Sequence, residues 1–365
     1  MQRTAIWFLI GLFFLSSTQI FASTQPEVPL KIAFILEGRA NDYGWNYAHN
    51  QGRLYLEKEM SGKIKTTVIE NIPESAEVER VMEKLIAQGN KLLFATSYGY
   101  LEPALRVAAR HPEIIIMQCQ RYVPKSFKNA GTYYVRQHDP CYPIGIVAGR
   151  MTKTNKIGYI GGHAVPILVA SLNALTLGAK SVNPKVKVHA IWLNTWADAA
   201  LEVEATKGLI DSGVDVIASE LDSSLITVKT CEANHIFCVS ENVNLQKFAP
   251  KSWLVGQEFD WGPLYVKISQ SLIDHTWKAD NKIYETKEGY SKLSPCSNIL
   301  PAAVRKEADS AMKNIIDGKL QIFKGPLKDR DGNIRVKTGA VISEKDLAGM
   351  NWVVPGVEGP MPKNK

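Results

Sequence analysis

Short apolar runs alternate with helix-period segments along this chain, and the alternation starts twice; no other feature restricts the fold as much. The first series is KIAFIL (31–36), TTVIEN (66–71), LLFATS (92–97), IIIMQC (114–119) and GTYYVR (131–136). After Ile144 the pattern restarts with KIGYIGG (156–162), VKVHAIW (186–192), VDVIASE (214–220) and IFCVS (236–240). Strands separated by helices specify parallel sheets covered on both faces, so the expected class is α/β with two doubly wound, Rossmann-like lobes. A length of 365 residues exceeds the ~150 residues of one typical domain and agrees with two. The expected division is 23–140 with about 256–290 for the first lobe, and 145–255 with part of 291–365 for the second.

In open α/β sheets ligands settle at the carboxyl ends of the strands, so the residues that follow each strand are the candidates. Glu37 follows the first strand, and Asp42 or Asn41 can cap a helix on which Trp45, Ala48, Gly52, Leu56 and Met60 share a face. Trp45 offers a π-face, while Glu37 and Asn46 offer an acceptor and an amide, a combination suited to a flat, hydrogen-bonding heterocycle. The competing reading of Trp45 is a core residue at the start of an amphipathic helix. Tyr98 and Gln120 reach the same rim from the next strand ends. The second series contributes Asn194, Thr195 and Trp196, then Glu220, Asp222 and Ser223, then Ser240, Glu241 and Asn242. His49 reads as a hydrogen-bonding structural residue.

MQRTAIWFLIGLFFLSSTQIFA (1–22) reads as a secretory signal: Arg3 supplies the cationic start, Ile6 to Leu15 the apolar centre and Ala22 a small residue for cleavage. No cysteine stands at the cleavage point, so the expected product is a non-lipidated periplasmic protein. The composition, 45% hydrophobic and 22% charged, is that of a globular protein rather than a disordered or multi-span one. A net charge of +7 is scattered, without a basic stripe interleaved with aromatics, which argues against nucleic acid as a partner. Of the five cysteines, Cys119 with Cys141 and Cys231 with Cys238 are possible disulfides and Cys296 would be left over; isolated buried thiols are the alternative.

DYGWNYAHNQG, ARHPE (109–113), GIVAGRMTKTNKIGYIGG (145–162), GAKSVNPKVKV (178–188), ENVNLQKFAPKSWLV (241–255) and DWGPLY (260–265) resemble, in collinear order, the basic-membrane-protein family of ABC-transporter substrate-binding proteins. Gly-Pro-Leu-Lys-Asp (325–329) and Asn-Trp (351–352) extend the resemblance towards the end of the chain. It implies a type I periplasmic-binding-protein fold with the ligand between the lobes, a purine nucleobase or nucleoside as ligand, and an inner-membrane ABC permease as partner. It also implies a monomer that needs no cofactor. Carried over, the stacking position falls on Trp45, with Asn46 beside it and Glu37 before it. The second-lobe contacts fall on Asp222, Glu241 and Asn242, and a late contact on Asp260 and Trp261. Nucleoside-binding members often carry an Asp-Asp or Asp-Asn pair in the first loop and a lysine after the late strand. Glu37-Gly38 and Asp260-Trp261 stand there instead, which leans towards a free base such as adenine or hypoxanthine.

No HExxH, GxSxG or phosphate-binding P-loop is present, and GYIGG (158–162) lacks the glycine spacing of a dinucleotide turn, so the residues do not read as an enzyme. The remaining rival is a protein of the same fold that binds another small solute, a sugar or a heterocycle, and serves a membrane sensor.

Overall fold

The computed structural model describes residues 28–120 and 123–361; the expected signal sequence, residues 1–22, lies outside them. The first sheet is built from β1 (Leu30–Ile35), β2 (Ile64–Ile69), β3 (Leu92–Ala95), β4 (Ile115–Cys119) and β5 (Ala130–Val135). The second begins with β6 (Lys156–Gly161), β7 (Lys187–Trp192), β8 (Val216–Glu220), β9 (Phe237–Ser240) and β10 (Trp253–Phe259). The chain then returns to the first sheet with β11 (Asn281–Tyr284) and to the second with β12 (Ser291–Leu293). The spatial orders are β11-β5-β4-β3-β1-β2 and β12-β10-β9-β8-β6-β7-β15, where β15 is Val357–Glu358, after a small hairpin of β13 (Leu327–Lys328) and β14 (Ile334–Val336). Both sheets are parallel except where β12 runs against β10. The chain is therefore α/β, with one strand order used twice.

That order reverses direction between β1 and β3 and again between β6 and β8, and such switch points open a crevice at the strands' carboxyl ends. The central strands are apolar on both faces, as parallel strands with helices on each side must be. Ile32 and Phe34 of β1 face one core while Ala33 and Ile35 face another, and Val216 and Ile217 of β8 divide in the same way.

The passage between the lobes is made by α4 (His138–Met151), which lies against α5 (Pro166–Val182). The contact is backbone on backbone: a Cβ at Gly145 would stand 2.0 Å from the Leu175 carbonyl oxygen, and one at Gly178 would stand 2.0 Å from that of Tyr142. The small residues of GIVAG thus allow two buried helices to cross closely.

Both cysteine pairings are corrected. Cys119 sits in the first sheet's core and Cys141 in the second's, and all five cysteines are free thiols. Cys231 and Cys238 share one core of the second sheet but are not joined. Among the described residues, no helix is long and apolar enough to cross a membrane.

Candidate ligand-binding site

Between the two rows of strand ends lies a narrow slot, partly open to solvent, whose free interior is about 30 Å³, below the ~300–1,000 Å³ of preformed small-molecule sites, so a ligand enters it only as the lobes part. The first lobe contributes Trp45, Ser97, Tyr98 and Gln120; the second contributes Trp196, Glu220, Leu221, Asp222 and Asn242, with Leu168 of α5 at the side. Gln137, the residue before α4, enters from the connection.

Trp45 opens α1 (Trp45–Glu59). Asp42 fixes that start: its carboxylate accepts from the backbone N–H groups of Gly44 at 2.7 Å and Tyr47 at 2.9 Å, the expected capping moved two residues ahead of the N-cap, Gly44. Trp45 is 8% exposed; its Nε1 donates to the Thr96 carbonyl at 3.2 Å, while Phe259 and Trp261 meet it edge-on. It is anchored by core contacts on one side and borders the slot on the other. The two readings of this residue are therefore not exclusive.

The lobes touch beside it. Asp222 accepts at its backbone oxygen from the Trp45 N–H at 2.5 Å, and Ser223 Oγ donates to the Asp42 carbonyl at 2.6 Å. Asn46 Nδ2 donates to Asp42 and to Asp222, both at 2.9 Å, which uses both of its protons. Asn46 Oδ1 remains buried without a hydrogen-bond partner, and so does Trp196 Nε1. Buried polar atoms of this kind call for a partner. Burial raises the Asp222 pKa well above the carboxylate range, and its contact with the Glu37 side chain across the seam adds to it.

A second network holds the floor. Tyr134 O–H donates to Gln137 Oε1 at 2.5 Å, and Gln137 Nε2 donates to Glu220 and, at 3.0 Å, to Glu241 Oε2. Tyr159 O–H donates to Glu220 at 2.5 Å and the Cys141 thiol to Glu241 at 3.2 Å. Burial pushes Glu241 up to about 7, and burial together with the Glu241 charge raises Glu220 well above its ordinary range. The pair is thus protonated in part near neutrality, and a neutral carboxyl can donate as well as accept.

Two slot residues hold backbone conformations that L-residues rarely adopt: Gln120 has φ 81° and Asn242 φ 74°. Strain concentrates where side chains must be aimed at a ligand. Asn242 Nδ2 donates to the Leu221 carbonyl at 2.8 Å and so shapes the β8 loop.

Of the candidates from sequence, Trp45, Tyr98, Gln120, Asp222 and Asn242 line the slot, while Glu37, Asn46 and Glu241 stand directly behind it. Asp260 does not reach it: its carboxylate pairs with Lys292 at 3.3 Å on the surface. Trp261 is buried, stacked on His49 at 4.7 Å and on Phe259 at 4.8 Å, and supports Trp45 from behind. His49 is wholly buried, hydrogen-bonded to Tyr265 and held neutral by desolvation. Trp196 and Glu220, named at the strand ends of the second series, line it too, and Ser97, Gln137, Leu168 and Leu221 join the candidates. Trp196 carried the same signal as Trp45, a tryptophan just after a strand; Gln137 and Leu168 carried none. Among the described residues, no cluster of His, Cys, Asp or Glu could hold a metal ion.

Known proteins match this chain along most of its length. A purine-binding protein of Brucella abortus (strain 2308) is 36% identical over 93% of this chain and 96% of its own. A putative ABC transporter glucose-binding protein of Haloferax volcanii is 29% identical over 90% of this chain and 81% of its own. Among solved structures, an ABC transporter solute-binding protein from Aeropyrum pernix K1 superimposes with a TM-score of 0.69 at 15% identity, over 82% of this chain and 93% of that one. That match supports the type I periplasmic-binding-protein fold. With residues 30–324 matching the model of the Bmp family, described as PnrA-like ABC-transporter substrate-binding proteins, the chain belongs to that family.

Proposed function

We propose that this protein captures a purine base or nucleoside in the interlobe slot and delivers it to an ABC importer in the inner membrane. One observation carries the reading: two tryptophans, Trp45 and Trp196, border one narrow slot from opposite lobes, among amide and carboxyl groups. A flat heterocycle uses both kinds of group, the rings for stacking and the amides and carboxyls for its edge. The 36% identity to a protein described as purine-binding supports the same class.

The slot's charge argues against nucleotides. Its ionisable lining residues, Glu220 and Asp222, are acidic, and an arginine fork for phosphate is missing from it. Binding then precedes a hinge closure of the kind such two-lobed proteins undergo, with the seam at Trp45 and Asp222 as its closed contact. The protein works as a monomer in the periplasm and catalyses no reaction.

A sugar remains the rival ligand because the Haloferax relative is described as glucose-binding. Calorimetry on ligand-stripped protein with adenine, hypoxanthine, guanine, their nucleosides, AMP, glucose and ribose separates the two. Micromolar or tighter binding of a purine base or nucleoside, with AMP much weaker, is expected. Binding of the sugars alone overturns the purine assignment. Transport and sensing separate in uptake of labelled ligand by cells that lack the protein: a transport role predicts lost uptake, a sensing role unchanged uptake.

A further inference from the structure

The slot has a neighbour. A chamber of about 280 Å³, partly open to solvent, adjoins it between the lobes, and Tyr98 and Gln120 border both spaces. The first lobe walls the chamber with Leu101, Val135 and Ile283, and the second with Pro166 and Ile167 at the start of α5. Leu347 of α10 (Glu344–Ala348) covers it.

The chemistry of the two spaces differs. Around the slot stand amides and carboxyl groups; around the chamber most side chains are aliphatic. The charged groups of the chamber, Arg136 and Glu344, are paired with each other and together tie α10 to the connection between the lobes. His138 lies beside Asp139, 3.2 Å away, and burial lowers its pKa, which leaves it uncharged at neutral pH. A ribose would meet a mostly aliphatic surface where its hydroxyls need partners, and unmet polar groups are costly to bury.

We infer that slot and chamber form one two-part site, whose ligand is a purine-type heterocycle carrying an uncharged, mainly apolar substituent that passes Tyr98 and Gln120 into the chamber. The inference rests on the purine reading of the slot and narrows it from a free base to a substituted one. A free base leaves the aliphatic wall in contact with water, whereas each CH₂ buried there strengthens binding by roughly fourfold.

The test is calorimetry of the ligand-stripped protein with adenine, adenosine, and adenines bearing a butyl or benzyl group at N6 or at N9. At least one substituted series is expected to bind tenfold or more tightly than adenine, with adenosine gaining less. Ala348, on the chamber wall and outside the slot, supplies the control: Ala348→Trp fills the chamber. It is expected to abolish the gain while the Kd for adenine stays within twofold, which also shows that the variant is folded. If adenine binds and neither series improves on it, the two-part site is wrong and the purine reading stands. A gain that survives Ala348→Trp places the substituent elsewhere and also overturns the inference. If no member of the panel binds, the purine reading falls and the two-part site falls with it.

Discussion

The two rims of the slot are built on the same strand order but are chemically unlike. The first lobe presents neutral groups, the Trp45 ring with Ser97, Tyr98 and Gln120, each on a strand-end loop or the first turn of a helix. The second presents a ring as well, Trp196, but its polar groups are carboxyls, Glu220 and Asp222, with Glu241 behind them. One topology has therefore been given two jobs. On the proposed reading, stacking is shared between the rims, while proton-dependent hydrogen bonding belongs to the second. The comparison can be broken at either half.

The largest effect is expected at the shared half. Trp45→Ala should weaken ligand binding by about 1–3 kcal/mol, the usual loss when a base is deprived of an aromatic platform. Trp196→Ala should cost a similar amount if both rims stack. Calorimetry reads the affinity and thermal melting the stability. Trp45 also donates to Thr96 and packs on Trp261, so some destabilisation accompanies its loss. A silent Trp196 would confine stacking to the first lobe, and a destabilised Trp45 variant of unchanged affinity would make that ring purely core.

The seam comes next. Gly44 has φ −150°, which any residue adopts, so its role is space rather than backbone freedom. A Cβ there would lie 1.7 Å from the Asp222 carbonyl oxygen of the opposite lobe. Gly44→Ala should leave each lobe folded but prevent full closure, raising the Kd at least about tenfold because the competent state becomes scarce. X-ray scattering of the variant with saturating ligand should show the extended, open profile. A compact profile identical to that of the parent protein would remove the seam from the binding mechanism.

Much of this architecture is written locally. Each sheet strand named above from the sequence appears at its place, because a parallel strand is an uninterrupted apolar run and its helix repeats at three and four residues. Slot membership is less local. Trp45 and Tyr98 announce themselves as aromatics after strands, but Gln137 enters only because α4 carries the chain between lobes, and Leu168 only because α5 lies beside it. The pairing of Arg136 with Glu344 joins residues far apart in sequence, and no spacing rule foretells it. Burial, too, is a tertiary property, which is why the raised pKa values of Glu220, Asp222 and Glu241 could not be read from residue types.

Those carboxyls set the third expectation. Glu241 ionises at about 7 in the folded protein against an ordinary value of 4.5, and Glu220 and Asp222 are raised as well, with burial the main cause. Between the ordinary value and the raised one the folded state holds protons that the unfolded chain releases. The contribution of these groups to stability is therefore largest below the unfolded pKa and declines as pH rises towards 7. The ligand-free protein should accordingly melt at higher temperature at about pH 5.5 than at about pH 7.5. Glu241→Gln should reduce that difference by roughly 2–4 °C, the size of a change of about 1 kcal/mol in a domain of 150–250 residues. An unaltered difference would mean that Glu241 is charged and that the acidic rim is no more proton-dependent than the neutral one.

The smallest effect is expected at Asp260, which the family resemblance assigns to the ligand and the geometry does not. Its carboxylate faces Lys292 at 3.3 Å with both side chains nearly half exposed, and an ion pair of that kind contributes about 0–1 kcal/mol to stability. The helix it precedes, α8 (Trp261–Ile273), takes no side-chain cap from it. Asp260→Asn should therefore leave ligand affinity within about twofold and stability within about 0.5 kcal/mol, as surface substitutions commonly do. Its neighbour differs: Trp261 stacks on Phe259 and meets Trp45, so Trp261→Ala should loosen the Trp45 platform and lower affinity and stability together. A large loss of affinity in Asp260→Asn alone would show that the closed, liganded protein turns this residue into the slot. The late loop would then belong to the acidic half of the site.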